Sequence, residues 1–309
     1  MKHSAGISGV NCGRSKAGTV PGLRPAPSGR AGSRRSDDDR LLDVAGRLTE
    51  RDRVLCRLLH SHRVLTTGQI ADIGFAGRRR AEKRLAELHS WTVLDRFRPR
   101  LWSGSAPYHW LLGPAGAALL AAEAGLTPAQ FGWRRDSGTA LAQSQRLAHL
   151  LGVNGVFTAL IGAAHRQPGC ELAAWWSEAR CAAEWGELVR PDGYGVWVAD
   201  GRRLPFLLEY DTGSERLARL AGKLPGYADL HAASGHPTWV CFTFTSPGRE
   251  AAARPVLTHP GVPVATAVLP AGIDPSGPVW LPVGPPGGMR LALADLGDPQ
   301  PSLSSRNHR

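Results

Sequence analysis

The sequence predicts an α/β protein in two parts: a basic, mostly helical front unit and a larger rear unit on a central mixed sheet. Three observations carry this. First, 309 residues correspond to about two domains at roughly 150 residues each, and 42% hydrophobic residues are enough to fill their cores. Second, the net charge of +11 is not spread evenly. Residues 1–40 hold eight Lys/Arg against three Asp, and residues 41–110 hold thirteen against seven Asp/Glu. Residues 111–309 hold sixteen of each. Third, the apolar spacing is helical in the front and turns to short strand-like runs in the rear. GC-rich coding accounts for the preference of Arg over Lys, since only Lys2, Lys16, Lys83 and Lys223 are lysines. It does not account for one segment holding the whole surplus. A basic segment on a neutral body points to a polyanion-binding module on a separate domain.

Residues 1–40 are rich in Gly, Ser, Pro and Arg without hydrophobic periodicity and are expected to be a disordered basic arm. Residues 297–309 are expected to be a disordered tail. Thr49 with Asp52 three residues on resembles a capping box, with Asp in place of the usual Glu. Val54, Leu55, Leu58 and Leu59 follow at helical spacing. Residues 64–67 break that helix and cap a short one over 69–73, which ends at Gly74. A third helix over 78–90 places Ala81, Leu85 and Leu88 on one face. Residues 92–98 and 108–112 read as two strands around a turn, and Pro114 opens an Ala/Leu helix to about residue 124. Helix, short helix, helix and hairpin is the order of a winged helix-turn-helix, here over residues 41–125. In that design the third helix enters the major groove and the wing touches backbone. The third helix carries Arg78, Arg79, Arg80, Lys83 and Arg84, and the wing carries Arg96, Arg98 and Arg100. Arginine pairs with phosphates and bonds guanine bidentately. Cations at a helix N-terminus oppose the macrodipole, so their clustering there calls for an external anion.

The rear unit, residues 138–290, begins with a helical pattern over 139–166. Strands follow over 170–176, 188–198 and 204–210, with Asp200-Gly201 as a hairpin signal. A helix over 214–229 leads to strands over 239–245, 262–269 and 279–283. Alternating helix and strand of this kind builds an α/β unit on a mixed sheet. Asp192 starts one hairpin strand and Glu209 ends the next, which puts the two side by side. Period two puts Asp211 on the face of Glu209. Asp192, Glu209 and Asp211 would repel one another unless a divalent cation neutralised them. Mg²⁺ suits oxygen ligands and phosphodiester chemistry, and Lys223 on the following helix is placed to hold a water or a phosphate. Taken singly, each of these carboxylates is an ordinary loop acid, and Pro191-Asp192-Gly193 is an ordinary turn.

Four segments in the front resemble the replication-relaxation family of actinobacterial plasmids and mobile elements: Leu48-Thr49-Glu50-Arg51-Asp52, Arg63 to Ile70, Arg84-Leu85-Ala86-Glu87-Leu88 and Gly104 to Leu112. The rear agrees through His149 to Asn154, Pro191-Asp192-Gly193, Glu209 to Glu215, and Lys223 before Tyr227. The resemblance covers residues 48–246. It implies a DNA-binding winged helix, a role in plasmid or mobile-element replication, maintenance or transfer, and a rear unit similar to the PD-(D/E)xK, restriction-endonuclease-like fold. Asp192 and Glu209 match the first two elements of that motif as catalytic residues. The third departs: Asp211 stands where Lys is wanted, and Lys223 would supply the cation from elsewhere.

The expected function is therefore duplex-DNA binding with a nuclease-like rear. The alternatives are an active Mg²⁺-dependent nuclease or nickase, and a non-catalytic transcriptional regulator or adaptor. Partners expected are double-stranded DNA, a second copy of the chain, and plasmid replication or transfer proteins. No P-loop occurs. The five cysteines form no CxxC pair, which fits a reduced cytosol. The basic N-terminus leads into no apolar run, so no signal peptide is expected. No apolar stretch is expected to reach the roughly 18 uncharged residues that cross a bilayer. A cytoplasmic protein without membrane partners follows.

Overall fold

The computed structural model describes residues 37–99, 106–135, 137–235, 237–270, 272–284 and 288–297. The expected arm and tail lie outside these residues except at their inner ends. There the arm's boundary is corrected: residues 37–40 belong to helix α1 (Asp37–Ala45), and Gly297 closes a 3-10 turn, Leu293–Gly297.

The front unit runs α2 (Glu50–His62), β1 (Leu65–Thr66), α3 (Thr67–Gly74), α4 (Arg78–Ser90), β2 (Leu94–Phe97), β3 (His109–Leu112) and α5 (Pro114–Glu123). Local chemistry sets these bounds. Thr49 and Asp52 close the capping box on α2, and Thr66 with Gln69 closes a second one on α3. The segment expected only to break the first helix also forms β1, giving an antiparallel sheet in the order β1–β3–β2. Leu55, Leu59, Ile70, Leu85, Leu88 and Trp110 fill the core beneath it. The buried Trp110 indole donates to Thr67 Oγ1 at 2.9 Å, so its polar atom is satisfied. After β3 the chain passes close to β2. A Cβ on Gly113 would stand 2.4 Å from the Thr92 carbonyl oxygen, so this crossing requires glycine.

The rear unit holds α6 (Ser137–Ala142), α7 (Leu147–Arg166), β4 (Cys170–Ser177), α8 (Glu178–Trp185), β5 (Gly193–Ala199) and β6 (Arg202–Asp211). It continues with α9 (Leu217–Ala221), α10 (Leu224–Ser234), β7 (Trp239–Phe244), α11 (Pro247–Ala253), β8 (Val264–Val268) and β9 (Leu281–Pro282). The sheet is mixed, as expected, with order β4–β5–β6–β7–β8–β9. β4, β5 and β6 are antiparallel, β6, β7 and β8 are parallel, and β9 returns antiparallel. Asp200 and Gly201 both take positive φ, 50° and 78°, at the β5–β6 turn. Both central residues of a tight hairpin turn of the primed type need that conformation. Two expected helices are each a pair. The pattern over 139–166 divides between α6 and α7, and that over 214–229 breaks at Gly222-Lys223 between α9 and α10.

α7 is uncharged from Leu147 to His165 and is long and apolar enough to cross a membrane by length and composition. The expectation that no stretch reaches this length is therefore wrong. Its apolar side chains serve a different purpose here. Val153, Phe157, Leu160 and Ala163 pack on the six-stranded sheet against Trp197, Phe206 and Leu208. At its N-terminal end Leu147 joins Val64 and Leu111 of the front unit in a separate buried cluster. Asn154 Nδ2 donates to the His62 and Val64 carbonyls at 3.1 and 2.8 Å, and Gln69 Nε2 donates to the Leu151 carbonyl at 2.8 Å. Trp175 of β4 packs against both cores and stacks on His62 with centroids 3.7 Å apart. Burial pushes the His62 pKa down to about 3, so the imidazole is neutral in this seam. A helix that serves two cores explains why its apolar character exceeds that of an ordinary surface helix.

Candidate functional site

The first site forms at the start of α4. Gly77 precedes the helix at φ 135° and supplies no side-chain cap, so the first-turn N–H groups have no cap of that kind. Arg78 pairs with Glu82 at 3.0 Å along the helix. Arg79, Arg80 and Lys83 are exposed and make no ion pair among the described residues. With Ala76 and Gly77 they line an open groove of about 560 Å³. On the hairpin, the guanidinium carbons of Arg96 and Arg98 stand 4.0 and 3.9 Å from the centre of the Tyr108 ring. Cation–π contact pre-orders both. Arg100 lies outside the described residues.

Arg84 corrects the expected set of DNA contacts. It points into the front unit, where Nε and Nη2 donate to Asp52 Oδ1 and Oδ2 at 3.1 and 2.6 Å. Nη1 meets Glu87 at 2.9 Å. Its side chain is 17% exposed and that of Asp52 is 0%. Burial pushes the Asp52 carboxyl up, but the hydrogen bonds from Arg84 and Thr49 outweigh it and leave the pKa below the usual value. Asp52 thus caps α2 and anchors α4 at once. Arg84 orients the helix; it is not part of the exposed cationic face.

The second site is a pocket of about 810 Å³ at one end of β5 and β6, beside α7 and α10. Gly193 pairs with Leu208, which puts Asp192 beside Glu209 as the hairpin register requires. Glu209 is buried. Lys223 Nζ donates to its Oε2 at 2.5 Å, and the Tyr227 hydroxyl donates to Oε1. Burial and the neighbouring Asp192 charge push the Glu209 carboxyl well above the usual range, against the pull of Lys223 and Tyr227. The break at Gly222 places Lys223 there at the head of α10, so Asp192, Glu209 and Lys223 all line one pocket.

His149 also lines this pocket. It lies on α7, and its Nε2 meets Asp192 Oδ2 at 2.9 Å; the same oxygen accepts the Tyr210 N–H at 2.8 Å. Burial alone would lower the His149 pKa, but Asp192 raises it above the ordinary value. The sequence reading did not select His149. Its signals are its place at the head of the family-like segment His149 to Asn154 and its spacing of four residues before Val153, on the core-facing stripe of α7.

Asp211 lines the same pocket, but its carboxylate is bonded to other partners. Its Oδ2 accepts Arg249 Nε of α11 at 2.6 Å and its Oδ1 accepts the Gly213 N–H at 2.7 Å. Among the described residues no three His, Cys, Asp or Glu side chains gather in a way that could hold a metal ion. The expected three-carboxylate cluster is corrected to two neighbouring ion pairs, His149–Asp192 and Lys223–Glu209, with Asp211 taken up by Arg249. The missed helix α11 supplies that arginine.

The family model described as replication-relaxation matches residues 56–239, from within α2 to the first residue of β7, and so spans both sites. No curated protein and no solved structure matches the chain.

Proposed function

The chain belongs to the replication-relaxation family, a membership that places it at the family level in work connected with replication, and from this we propose that it is a duplex-DNA-binding protein acting in plasmid or mobile-element replication, maintenance or transfer. The observation that carries this is the set Arg79, Arg80 and Lys83, exposed on α4 with no internal ion pair among the described residues. Three cations held together on one helix repel one another in the free protein, and phosphates relieve that. The element order α2–β1–α3–α4–β2–β3 and the sheet order β1–β3–β2 support a winged helix-turn-helix. In that reading α4 lies in the major groove and Arg96 and Arg98 reach the backbone. The test is fluorescence anisotropy of the full chain on a labelled duplex. Replacing Arg79, Arg80 and Lys83 together with Ala is expected to weaken binding by at least tenfold; unchanged affinity overturns the proposal.

A second reading, an active nuclease, is favoured by one observation: Asp192, Glu209 and Lys223 line a common pocket with His149. The order α7, three antiparallel strands, α10 and a parallel strand supports a PD-(D/E)xK-like scaffold. Mg²⁺ does not fit the donors as they stand. Both Glu209 oxygens are engaged by Lys223 and Tyr227, both Asp211 oxygens are engaged, and one Asp192 oxygen serves His149 and Tyr210. The rear unit is therefore read as a nuclease-like scaffold that acts as an adaptor, without cleavage. Incubating the full chain with supercoiled plasmid across several divalent metals is expected to give no nicking. Nicking that an Asp192→Ala variant loses would establish the nuclease instead.

A further inference from the structure

The six-stranded sheet carries a feature that duplex binding does not use. Successive residues of β4 point to opposite faces, so Trp175 enters the seam with the front unit and Trp176 emerges on the other side. There it meets Trp185 of α8, centroids 5.3 Å apart and nearly parallel at 26°. Tyr194, opposite Trp176 in the β4–β5 register, stands 4.8 Å from Trp176 and 5.4 Å from Trp185. All three rings are only half-buried, and Trp185 and Tyr194 lie at the margin of the core beneath α10. The Arg180 guanidinium carbon lies 4.1 Å over the Trp176 ring, so Trp176 contacts a cation as well as the two other rings. The same sheet face continues through Val198 to Arg203, which pairs with it in register. Arg180 and Arg203 are exposed and make no ion pair among the described residues.

We propose that this face of β4 and β5, with Trp176, Trp185, Tyr194, Arg180 and Arg203, binds single-stranded nucleic acid. A Trp and a Tyr on the sheet and a Trp on α8, all left half-exposed, lose favourable burial that smaller residues would not forgo. They gain a stacking surface, and the guanidinium over Trp176 adds a second flat group to it for an incoming base. A duplex keeps its bases in its own stack and cannot use such a surface; an unpaired strand can, with its phosphates meeting the two arginines. This face is separate from the α4 cations. β4 packs against the front unit through Trp175, on the opposite face of the sheet, so the sheet lies between a strand held here and that unit.

The experiment uses the full chain and a labelled 20-nucleotide oligothymidine, which has no secondary structure of its own. The Arg79→Ala, Arg80→Ala, Lys83→Ala protein is run in parallel to remove the α4 contribution. Both proteins are expected to bind the oligothymidine, with quenching of tryptophan fluorescence. Arg180→Ala with Arg203→Ala, two exposed changes that leave the core intact, is expected to weaken binding about tenfold. Trp176→Ala is expected to weaken it by a further tenfold or so, the usual loss for removing one stacking ring. With two phosphates neutralised, the log–log salt slope is expected to be about −1.4. The proposal is overturned if the folded wild type does not bind the strand. It is also overturned if binding disappears in the α4 variant while the Arg180/Arg203 variant keeps it, or if sedimentation shows this face covered by a second copy that Trp176→Ala releases. Failure of strand binding with intact duplex binding leaves the α4 assignment standing, so the two are separable.

Discussion

Replacing Arg84 with Met removes a buried cation while keeping most of the side-chain length. The Asp52 carboxylate, 0% exposed, loses its guanidinium partner and keeps only the Thr49 hydroxyl and backbone N–H. Removing one partner of a buried pair costs about 3–5 kcal/mol. Arg84 itself retains 17% exposure, which lets water in and brings the expected loss to the lower end, about 3 kcal/mol. Urea unfolding of the full chain, followed by far-UV circular dichroism, reads this as a lower midpoint at unchanged slope. The pH dependence gives an independent check. In the wild type the Asp52 pKa is depressed. Its stabilisation is present above the unfolded carboxylate pKa and is lost as pH falls through the folded value. In the variant, burial without the guanidinium raises that pKa, so the penalty shrinks as acid protonates the carboxyl. Arg80→Ala on the same helix is expected to do the opposite of Arg84→Met: stability within about 0.5 kcal/mol of wild type, with duplex affinity reduced. An Arg84→Met protein of full stability, or one that is stable but selectively blind to DNA, would refute the assignment of Arg84 as an internal anchor.

Two further outcomes follow from the rear unit and the seam. Because the Glu209 pKa is raised in the folded protein, its contribution favours folding at acid pH. That contribution falls away as pH rises from the ordinary carboxylate range through the folded value. Glu209→Gln is expected to flatten this part of a stability–pH curve measured by urea midpoints, and a curve parallel to wild type would contradict it. Asn154→Ala removes the side-chain donor of the Val64 carbonyl and leaves the His62 carbonyl with the Val64 N–H in a buried seam. It is expected to cost about 1–3 kcal/mol, measured by the same unfolding assay; a neutral change would mean that the seam admits water.

Local signals read correctly where the chemistry is local. The Thr49–Asp52 box, the Gln69 helix, the Asp200-Gly201 turn and the pairing of Asp192 with Glu209 each depend on residues near one another in sequence or on hairpin register. The misreadings involve partners far apart. Arg84 lies among basic residues in sequence, and its burial depends on Asp52, thirty-two positions earlier. Asp211 satisfies the strand period and lines the pocket, yet Arg249, on a helix the sequence did not reveal, takes up one of its oxygens. His149 lies at the end of an apolar stripe and faces Asp192 only once α7 is laid on the sheet. The helical pattern over 139–166 contains the run Leu147 to His165, which holds no Asp, Glu, Lys or Arg. The uncharged run serves two cores, a demand that appears only when the units are packed together.

The central claim is that α4 grips duplex phosphates, and the salt dependence of binding tests it most directly. Each phosphate neutralised contributes about −0.9 to the slope of log affinity against log salt concentration. Replacing Arg79, Arg80 and Lys83 with Ala is therefore expected to make the wild-type slope shallower by about 2.7. An unchanged slope in a variant that remains folded would mean that these cations never meet the DNA.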